Sequence, residues 1–233
     1  MRIIQISDSH IDLNTTGRIA DLENCIAAVN AEKPDIVIHT GDISHNNLET
    51  EYRAARNVLD TLDAPYYVLA GNKDTRSALH HTFHDHEYLS QNDDFIQYSI
   101  DLQNTRLIML DTVTEGTSKG ELCERRLSDL KKMLEHTGDT PIVIFMHHAP
   151  YVVEEIPDPR QFHNWGHVDA LEKLLSANRC IQQIYCGHVH RNVAGTIGEL
   201  QVEVLTCIAT DLRKGKLSDL EIARPEFRVI EIP

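Results

Sequence analysis

Short apolar runs alternate with amphipathic stretches along this chain. The apolar-rich runs predict strands at Arg2–Ile6, Asp35–His39, Tyr66–Leu69, Phe95–Leu102, Arg106–Leu110, Pro141–Met146, Ile181–Tyr185, Leu200–Leu205 and Phe227–Ile232. Apolar positions spaced three or four residues apart predict helices at Gly17–Glu32, Glu49–Leu62, Glu121–His136 and Val168–Ala177. Strands that alternate with helices in this way predict an α/β fold.

Polar fragments follow five of these strands at the carboxyl end. They are Asp8-Ser9-His10, Gly41-Asp42, Gly71-Asn72-Lys73-Asp74, His147-His148 and Gly187-His188-Val189-His190. A Gly-Asp or Gly-Asn pair alone usually marks a turn. The two histidines of the last fragment carry more weight, because strand alternation points them the same way. Open α/β sheets place their sites beyond the carboxyl ends of strands, so we expect the five fragments to meet there.

Together the fragments carry seven side chains with oxygen or nitrogen donors: Asp8, His10, Asp42, Asn72, His147, His188 and His190. Such a mixture of imidazole, carboxylate and amide suits iron, manganese, zinc or cobalt better than a structural zinc, which usually takes thiolates. Seven donors are enough for two metal ions that share one carboxylate. Two metals roughly 3.5–4 Å apart are a known arrangement for phosphoryl chemistry. The pattern therefore predicts a binuclear metallophosphoesterase.

The same fragments resemble the calcineurin-like metallophosphoesterase superfamily, whose pattern reads D-x-H, G-D, G-N-H-[DE], H and G-H-x-H. The stretch Arg106–Gly120 with the following Glu121-Leu122, and the stretch Cys186–Arg191, resemble the bacterial class III cyclic-nucleotide phosphodiesterases of that superfamily. The resemblance implies a four-layer sandwich of two mixed β-sheets flanked by helices. It also implies one domain over residues 1–233, with a short C-terminal extension.

The resemblance further implies a role for each ligand. Asp8, His10 and His190 would hold one metal, Asn72, His147 and His188 the other, and Asp42 would bridge the two. A metal-bound hydroxide would then hydrolyse a phosphodiester, with 3′,5′-cyclic nucleotides the expected substrates. A phosphomonoesterase, a nucleotide-sugar or lipid pyrophosphatase, and a catalytically silent scaffold are the alternatives. The scaffold is disfavoured, because scaffolds usually lose ligands and all seven are present.

Three residues beside the ligands are candidates for catalysis. Lys73 stands where the superfamily has a histidine, and a free lysine, with a pKa of about 10.4, is normally a weaker proton donor at neutral pH than an imidazole. We therefore expect Lys73 to act as a fixed positive charge for the phosphate, unless it points to solvent. Asp74 is expected either to orient a ligand or Lys73, or to cap a helix. His148 is expected to contact the phosphate or to support its neighbours.

Composition and charge are consistent with the predicted enzyme. The chain has 233 residues and a net charge of −14, which argues against a general nucleic-acid-binding surface. It has no apolar run near the ~20 residues of a membrane span and no apolar signal core at its start. Five cysteines without a C-x-x-C pair predict reduced, mostly buried thiols in a cytoplasmic enzyme. We expect a small-molecule phosphodiester as partner, and a homodimer stays open.

Other segments are expected to play lesser parts. His39 lies inside a predicted strand and is expected in the core. The histidine-rich stretch Leu79–His86 is expected to form a solvated loop or helix face. The loop Tyr151–Trp165 is of the kind that covers a site, with Phe162 and Trp165 as its anchors.

Overall fold

The computed structural model describes residues 1–92, 94–135 and 138–232. The strands are β1 (Arg2–Ile6), β2 (Ile36–His39), β3 (Tyr66–Val68), β4 (Tyr98–Leu102), β5 (Thr105–Leu110), β6 (Ile142–Met146), β7 (Ile181–Cys186), β8 (Val193–Ile197), β9 (Leu200–Val204) and β10 (Arg228–Glu231). The helices are α1 (Arg18–Ala31), α2 (Glu49–Leu59), α3 (Arg76–Thr82), α4 (Glu124–Leu134), α5 (Trp165–Ser176) and α6 (Asp219–Ala223). Short 3₁₀ turns lie at Glu87–Gln91 and Thr210–Leu212.

The strands form two mixed sheets. The first has the order β10-β1-β2-β3, and the second has the order β4-β5-β6-β7-β9-β8. In the first sheet β1, β2 and β3 are parallel and β10 is antiparallel to β1. In the second sheet β5, β6, β7 and β9 are parallel, with antiparallel β4 and β8 at the edges. The parallel central strands end together, so the loops that follow them gather at one edge of each sheet.

Alternation along the strands of the second sheet builds two separate cores. Leu107, Met109 and Phe145 are buried on the face that packs against the first sheet. Their neighbours Ile108 and Ile144 are buried on the opposite face, under α4 and α5. On the far side of the first sheet, α1 and α2 cover β1 and β2. The layers are thus helix, sheet, sheet and helix, which confirms the expected four-layer sandwich.

The helices follow the predicted apolar spacing. In α2, Tyr52, Ala55 and Leu59 lie on one face and are completely buried. In α5, Leu171 and Leu175 do the same, and Asn164 caps this helix by accepting a hydrogen bond from the backbone N–H of Gly166. Among the described residues, none of the helices has the length and apolar character needed to cross a membrane.

The differences from prediction fall where the pattern is weak. The strand β8 was missed, because its sequence Val-Ala-Gly-Thr-Ile is partly exposed at a sheet edge and contains small residues. The short α6 was not predicted. The histidine-rich stretch Leu79–His86, expected as a solvated loop or helix face, continues α3 as far as Thr82. The helix predicted to run to His136 ends at Leu134 in the structure, and His136 itself lies outside the described residues.

Candidate metal centre

Hydrogen bonds join the five polar fragments beyond the strand ends. The backbone N–H of Asp8 donates to the Gly41 carbonyl at 3.0 Å. That of Lys73 donates to Oδ1 of Asp42 at 2.7 Å, and that of His188 donates to Oδ2 of Asp8 at 3.0 Å. The loops therefore bring together side chains from both sheets.

The backbone of this centre is strained. Among the described residues, eight that are not glycine have a positive φ. Five of these eight are predicted ligands, namely Asp8 (55°), His10 (43°), Asp42 (54°), His188 (77°) and His190 (57°). A left-handed conformation of this kind costs about 1–3 kcal/mol per residue and concentrates at functional sites. The strain marks the centre independently of any sequence resemblance.

Two glycines allow the loops to approach closely. Gly41 has φ +102°, and a Cβ at this position would lie 2.5 Å from the backbone nitrogen of Gly71. A Cβ on Gly71 would in turn lie 2.2 Å from the backbone nitrogen of Asp42. Neither position can hold a side chain without separating the two loops. The glycines of both fragments are therefore required by packing of the centre.

One cluster of donors consists of Asp8, His10, Asp42 and His190, whose ligand atoms lie within 4.8 Å of one another. Nε2 of His10 is 3.4 Å from Oδ2 of Asp42 and 3.0 Å from Nε2 of His190. All four side chains are buried, with His190 the most exposed at 8%. Two carboxylates and two imidazoles thus point at the same small volume.

The first cluster has the character of a cation site. Oδ1 of Asp8 is buried and has no hydrogen-bond partner, although it lies 3.7 Å from Nε2 of His10 and 3.4 Å from Nε2 of His190. A buried, unpaired carboxylate oxygen is costly unless a positive charge compensates it. Oxygen and imidazole donors of this type suit a divalent metal. These residues therefore fit the metal that the sequence predicted.

The second cluster consists of His147, His148 and His188, again with ligand atoms within 4.8 Å. Nε2 of His147 lies 3.2 Å from Oδ1 of Asn72. The same nitrogen is 3.5 Å from Oδ1 of Asp42. Asn72 therefore belongs with this cluster, as the sequence predicted.

Asp42 connects the two clusters. Its Oδ2 faces His10 at 3.4 Å and its Oδ1 faces His147 at 3.5 Å. The side chain is buried, and the N–H of Lys73 holds Oδ1 in place. One carboxylate thus presents an oxygen to each cluster.

Electrostatics across the two clusters favour ionised carboxylates at Asp8 and Asp42 and protonated imidazoles at His147 and His190. Burial opposes ionisation of both carboxyls, but the neighbouring imidazoles outweigh it. The result is a pKa of Asp42 of about 2 and a pKa of Asp8 well below its usual value. Burial likewise disfavours charged imidazoles, yet Asp42 raises the pKa of His147 to about 9 and Asp8 raises the pKa of His190 to about 10. The carboxylates thus create a field that attracts cations, whether protons or metal ions.

Outer hydrogen bonds fix the orientation of three imidazoles. Nδ1 of His147 donates to the carbonyl of Thr40 at 2.8 Å, and Nδ1 of His190 donates to that of Leu212 at 3.2 Å. Nδ1 of His10 lies 3.3 Å from Nδ1 of His45. In each case Nε2 is left facing the cluster. Such partners set the tautomer of metal-binding histidines.

His148 is completely buried, and both of its ring nitrogens are engaged within the protein. Nε2 donates to the carbonyl of Ser118 at 3.2 Å, so Nδ1 accepts from the Thr112 hydroxyl at 2.8 Å. Burial holds the pKa of His148 well below its usual value. Its ring packs on that of His188 at 4.4 Å between centroids. This geometry is that of a supporting group.

Asp74 caps no helix. Its buried carboxylate accepts hydrogen bonds from the backbone N–H groups of Ile43, Ser44 and Gly71 at 2.9–3.2 Å. It therefore ties the Gly41-Asp42 loop to the Gly71-Asn72 loop. Burial and the charge of Asp42 raise the pKa of Asp74 to about 6. Lys73 next to it is exposed.

His39 connects two of the loops that carry the ligands, a role that the sequence did not predict. The Gly41 N–H donates to Nδ1 of His39 at 3.2 Å, so Nε2 of His39 donates to the Ser9 hydroxyl at 3.0 Å. Ser9 donates onward to the Ile43 carbonyl. Burial lowers the pKa of His39 to about 4, so it stays neutral. His39 lies in the core as expected, but it also joins the loops that carry His10 and Asp42. A polar residue inside an otherwise apolar strand next to Gly41-Asp42 was the available signal.

Comparison with known proteins agrees with this geometry. The family model of the calcineurin-like phosphoesterases matches residues 1–192. The chain belongs to this family. The family uses a dinuclear metal centre, so a metal-dependent phosphoesterase is confirmed, and the fold carries Asp and His groups that could bind the ions.

Two relatives indicate which members of the family this chain resembles. The chain is 32% identical to the "Probable glycerophosphodiester phosphodiesterase GpdQ" of Arcobacter nitrofigilis, over 98% of this chain and 88% of the relative. It is 25% identical to the "3',5'-cyclic adenosine monophosphate phosphodiesterase CpdA" of Pseudomonas aeruginosa, over 86% of this chain and 73% of the relative. The expected resemblance to cyclic-nucleotide phosphodiesterases is thus confirmed, alongside one to glycerophosphodiester phosphodiesterases.

A solved structure supports the fold. The dimetal phosphatase of Danio rerio superimposes with a TM-score of 0.71 at 16% identity, over 98% of this chain and 91% of that one. At this level of identity the likeness concerns architecture only.

Proposed function

We propose that this chain is a binuclear-metal phosphodiesterase. The observation that carries the proposal is Asp42, whose two carboxylate oxygens face the two donor clusters at 3.4 and 3.5 Å. Asp8, His10 and His190 would hold one metal, and Asn72, His147 and His188 the other. When bound, two such metals activate water and neutralise the charge that develops on the phosphoryl oxygens.

Groups around the centre hold its ligand side chains in orientation. Thr40, Leu212 and His45 set the imidazoles of His147, His190 and His10 so that Nε2 faces inward. Asp74 holds the Asp42 and Asn72 loops together. His148 supports His188 from behind, with both nitrogens occupied. At the exposed mouth, Lys73 provides a positive charge for the phosphate.

Two substrate classes are candidates. The cyclic-nucleotide class rests on the Arg106–Gly120 and Cys186–Arg191 stretches and on relatives named as cyclic-nucleotide phosphodiesterases. The glycerophosphodiester class is favoured by the relative that is 32% identical over 98% of the chain. Both are phosphodiesters. We propose that the enzyme acts in the cytoplasm, a proposal supported by its five free cysteines.

Residues 1–233 are proposed to form one domain. The support is the pairing of the last strand β10 with the first strand β1, which returns the C-terminal extension to the first sheet.

Iron and manganese are the proposed metals, with zinc or cobalt as alternatives, because the donor set contains no thiolate.

A substrate panel tests the function. Metal-loaded enzyme is assayed with 3′,5′- and 2′,3′-cyclic nucleotides, glycerophosphodiesters, bis(p-nitrophenyl) phosphate and p-nitrophenyl phosphate. We expect a higher kcat/KM for at least one diester than for the monoester, and loss of activity on chelation. A monoester that reacts with a higher kcat/KM than every diester would overturn the proposal in favour of a phosphomonoesterase.

A further inference from the structure

A small cavity opens directly beside the centre. It has a volume of about 270 Å³, and His188 and Val189 are among its lining residues. Its lining also includes Lys119, Ile156, Arg160 and Lys214. A group attached to a phosphate at the centre could therefore extend into this adjoining space.

The walls of this cavity are fixed to the centre. The N–H of Gly120 donates to the Gln161 carbonyl at 2.8 Å, and the N–H of His163 donates back to the Gly120 carbonyl at 3.0 Å. Phe162 between them is buried, with 2% exposure, against His148. On the other side, the N–H of Lys214 donates to the His190 carbonyl at 3.0 Å. Both wall segments are thus anchored to residues of the centre or to their supports.

Two positive charges of the cavity lack an ion-pair partner among the described residues. Lys119 is neutralised, because its Nζ lies 2.7 Å from Oδ1 of Asp158. Arg160 and Lys214 form no ion pair with any carboxylate in residues 1–92, 94–135 and 138–232. The Arg160 guanidinium instead lies 5.3 Å from the centre of the Trp165 ring, a contact that orients the group and leaves its charge free. In a chain with a net charge of −14, a local excess of two positive charges favours an anionic ligand.

The described walls of the cavity also offer little aromatic surface on which a nucleobase could stack. Apart from the His188 imidazole, the described lining residues contain no aromatic ring. The volume of about 270 Å³ is below the roughly 300–1,000 Å³ typical of sites for drug-sized ligands. A short polar substituent suits this space better than a nucleoside.

We propose that this cavity is a subsite for an anionic group on one alcohol substituent of the substrate, recognised by Arg160 and Lys214. The substrate class is then an acyclic phosphodiester of a small alcohol that carries a carboxylate or a second phosphate. This inference rests on the proposed phosphodiesterase function and narrows it. The neighbouring metals would bind the scissile phosphate, and the two cations select what is attached to it.

The test uses alkyl methylphosphonates, whose alkoxide leaving groups make them slow alternative substrates, so that they compete for the centre while the substituent is free to enter the cavity. Inhibition of bis(p-nitrophenyl) phosphate hydrolysis is measured at low salt with 2-carboxyethyl, propyl and 2-(trimethylammonio)ethyl methylphosphonate. A hydrogen bond to an anionic group is roughly twice as strong as one between neutral groups. We therefore expect the carboxyethyl ester to bind about tenfold more tightly than the propyl ester, and the cationic ester to bind more weakly than either.

Variants show whether the two cations cause this preference. Arg160→Gln with Lys214→Gln should bring the carboxyethyl-to-propyl ratio of inhibition constants close to one, and each single variant should lose part of the preference. The matched control Arg53→Gln with Lys131→Gln removes the same charge at exposed sites on α2 and α4 and should keep the full ratio.

Equal inhibition by the two esters in the wild-type enzyme, or a preference that survives the double variant, would overturn the subsite. Absence of any diester hydrolysis would instead contradict the proposed function itself. The two failures are therefore distinguishable.

Discussion

Asp8 and His190 follow strands of different sheets, yet Oδ1 of Asp8 lies 3.4 Å from Nε2 of His190. Asp8 follows β1 in the first sheet, and His190 follows β7 in the second. The donor clusters therefore sit where the carboxyl ends of the two sheets meet. A cation bound there would be held by both halves of the sandwich.

Replacing the connecting carboxylate should disable the centre. In Asp42→Asn the amide carries no charge and offers one good metal-binding oxygen. We expect the loss of at least one metal per chain and a fall in kcat well beyond the ~10–100-fold typical of residues that only support ligands. Elemental analysis together with steady-state kinetics checks this. Two metals per chain with near-normal turnover would refute the bridging role.

His39 should act as a positioning residue for His10 and Asp42. His39→Leu removes the links to Ser9 and Gly41, and we expect metal affinity to fall about 10–100-fold. His39→Gln keeps a donor and an acceptor and should restore part of that loss. Metal dissociation constants and melting temperatures are measured together. A lower Tm with unchanged metal affinity would mean that His39 serves folding alone.

Lys73 should stabilise the phosphate charge without acting as an efficient acid. Activated aryl diesters, whose leaving groups need no proton, should then react much faster than cyclic nucleotides, whose leaving group is an alkoxide. Lys73→Ala should slow both substrates, and Lys73→His should narrow the gap by speeding the cyclic nucleotide. Unchanged rates in Lys73→Ala would remove the residue from catalysis.

Much of the centre could be predicted because the position of each ligand follows from the sequence immediately around it. Each ligand follows the end of an apolar run, and parallel strands bring such ends together whatever lies between them. The role of Asp74 was open, because its partners Ile43 and Ser44 lie some thirty residues earlier in the chain. The positive φ of Asp8 and His188 has no signal in the sequence, since neither residue is a glycine. The edge strand β8 was missed because tertiary pairing with β9, and not its own pattern, makes it a strand.

The ion pair of Arg18 and Asp211 should make stability depend on pH. The buried Arg18 donates to both carboxylate oxygens of Asp211 and to the His10 carbonyl. The hydrogen bond from Arg18 lowers the pKa of Asp211 against the opposing effect of burial. A lowered pKa stabilises the folded state above the usual carboxyl value of about 3.9, and this contribution is lost as the pH falls through the lowered pKa.

Asp211→Asn should therefore be less stable than the wild type at pH 7. We expect a difference of about 1 kcal/mol, because Asp211 is partly exposed, which corresponds to about 2–4 °C in Tm for a chain of this size. Melting curves between pH 7 and pH 3 should show the two proteins converging as the pH falls below about 4. A constant difference over that range would show that the charge of Asp211 is not its cause.

Anomalous diffraction from crystals grown with manganese tests the central claim most directly. The account predicts two peaks that share Asp42. One should lie against Asp8, His10 and His190, and the other against Asn72, His147 and His188. A single peak, or peaks bound by other residues, would contradict a binuclear centre at this site.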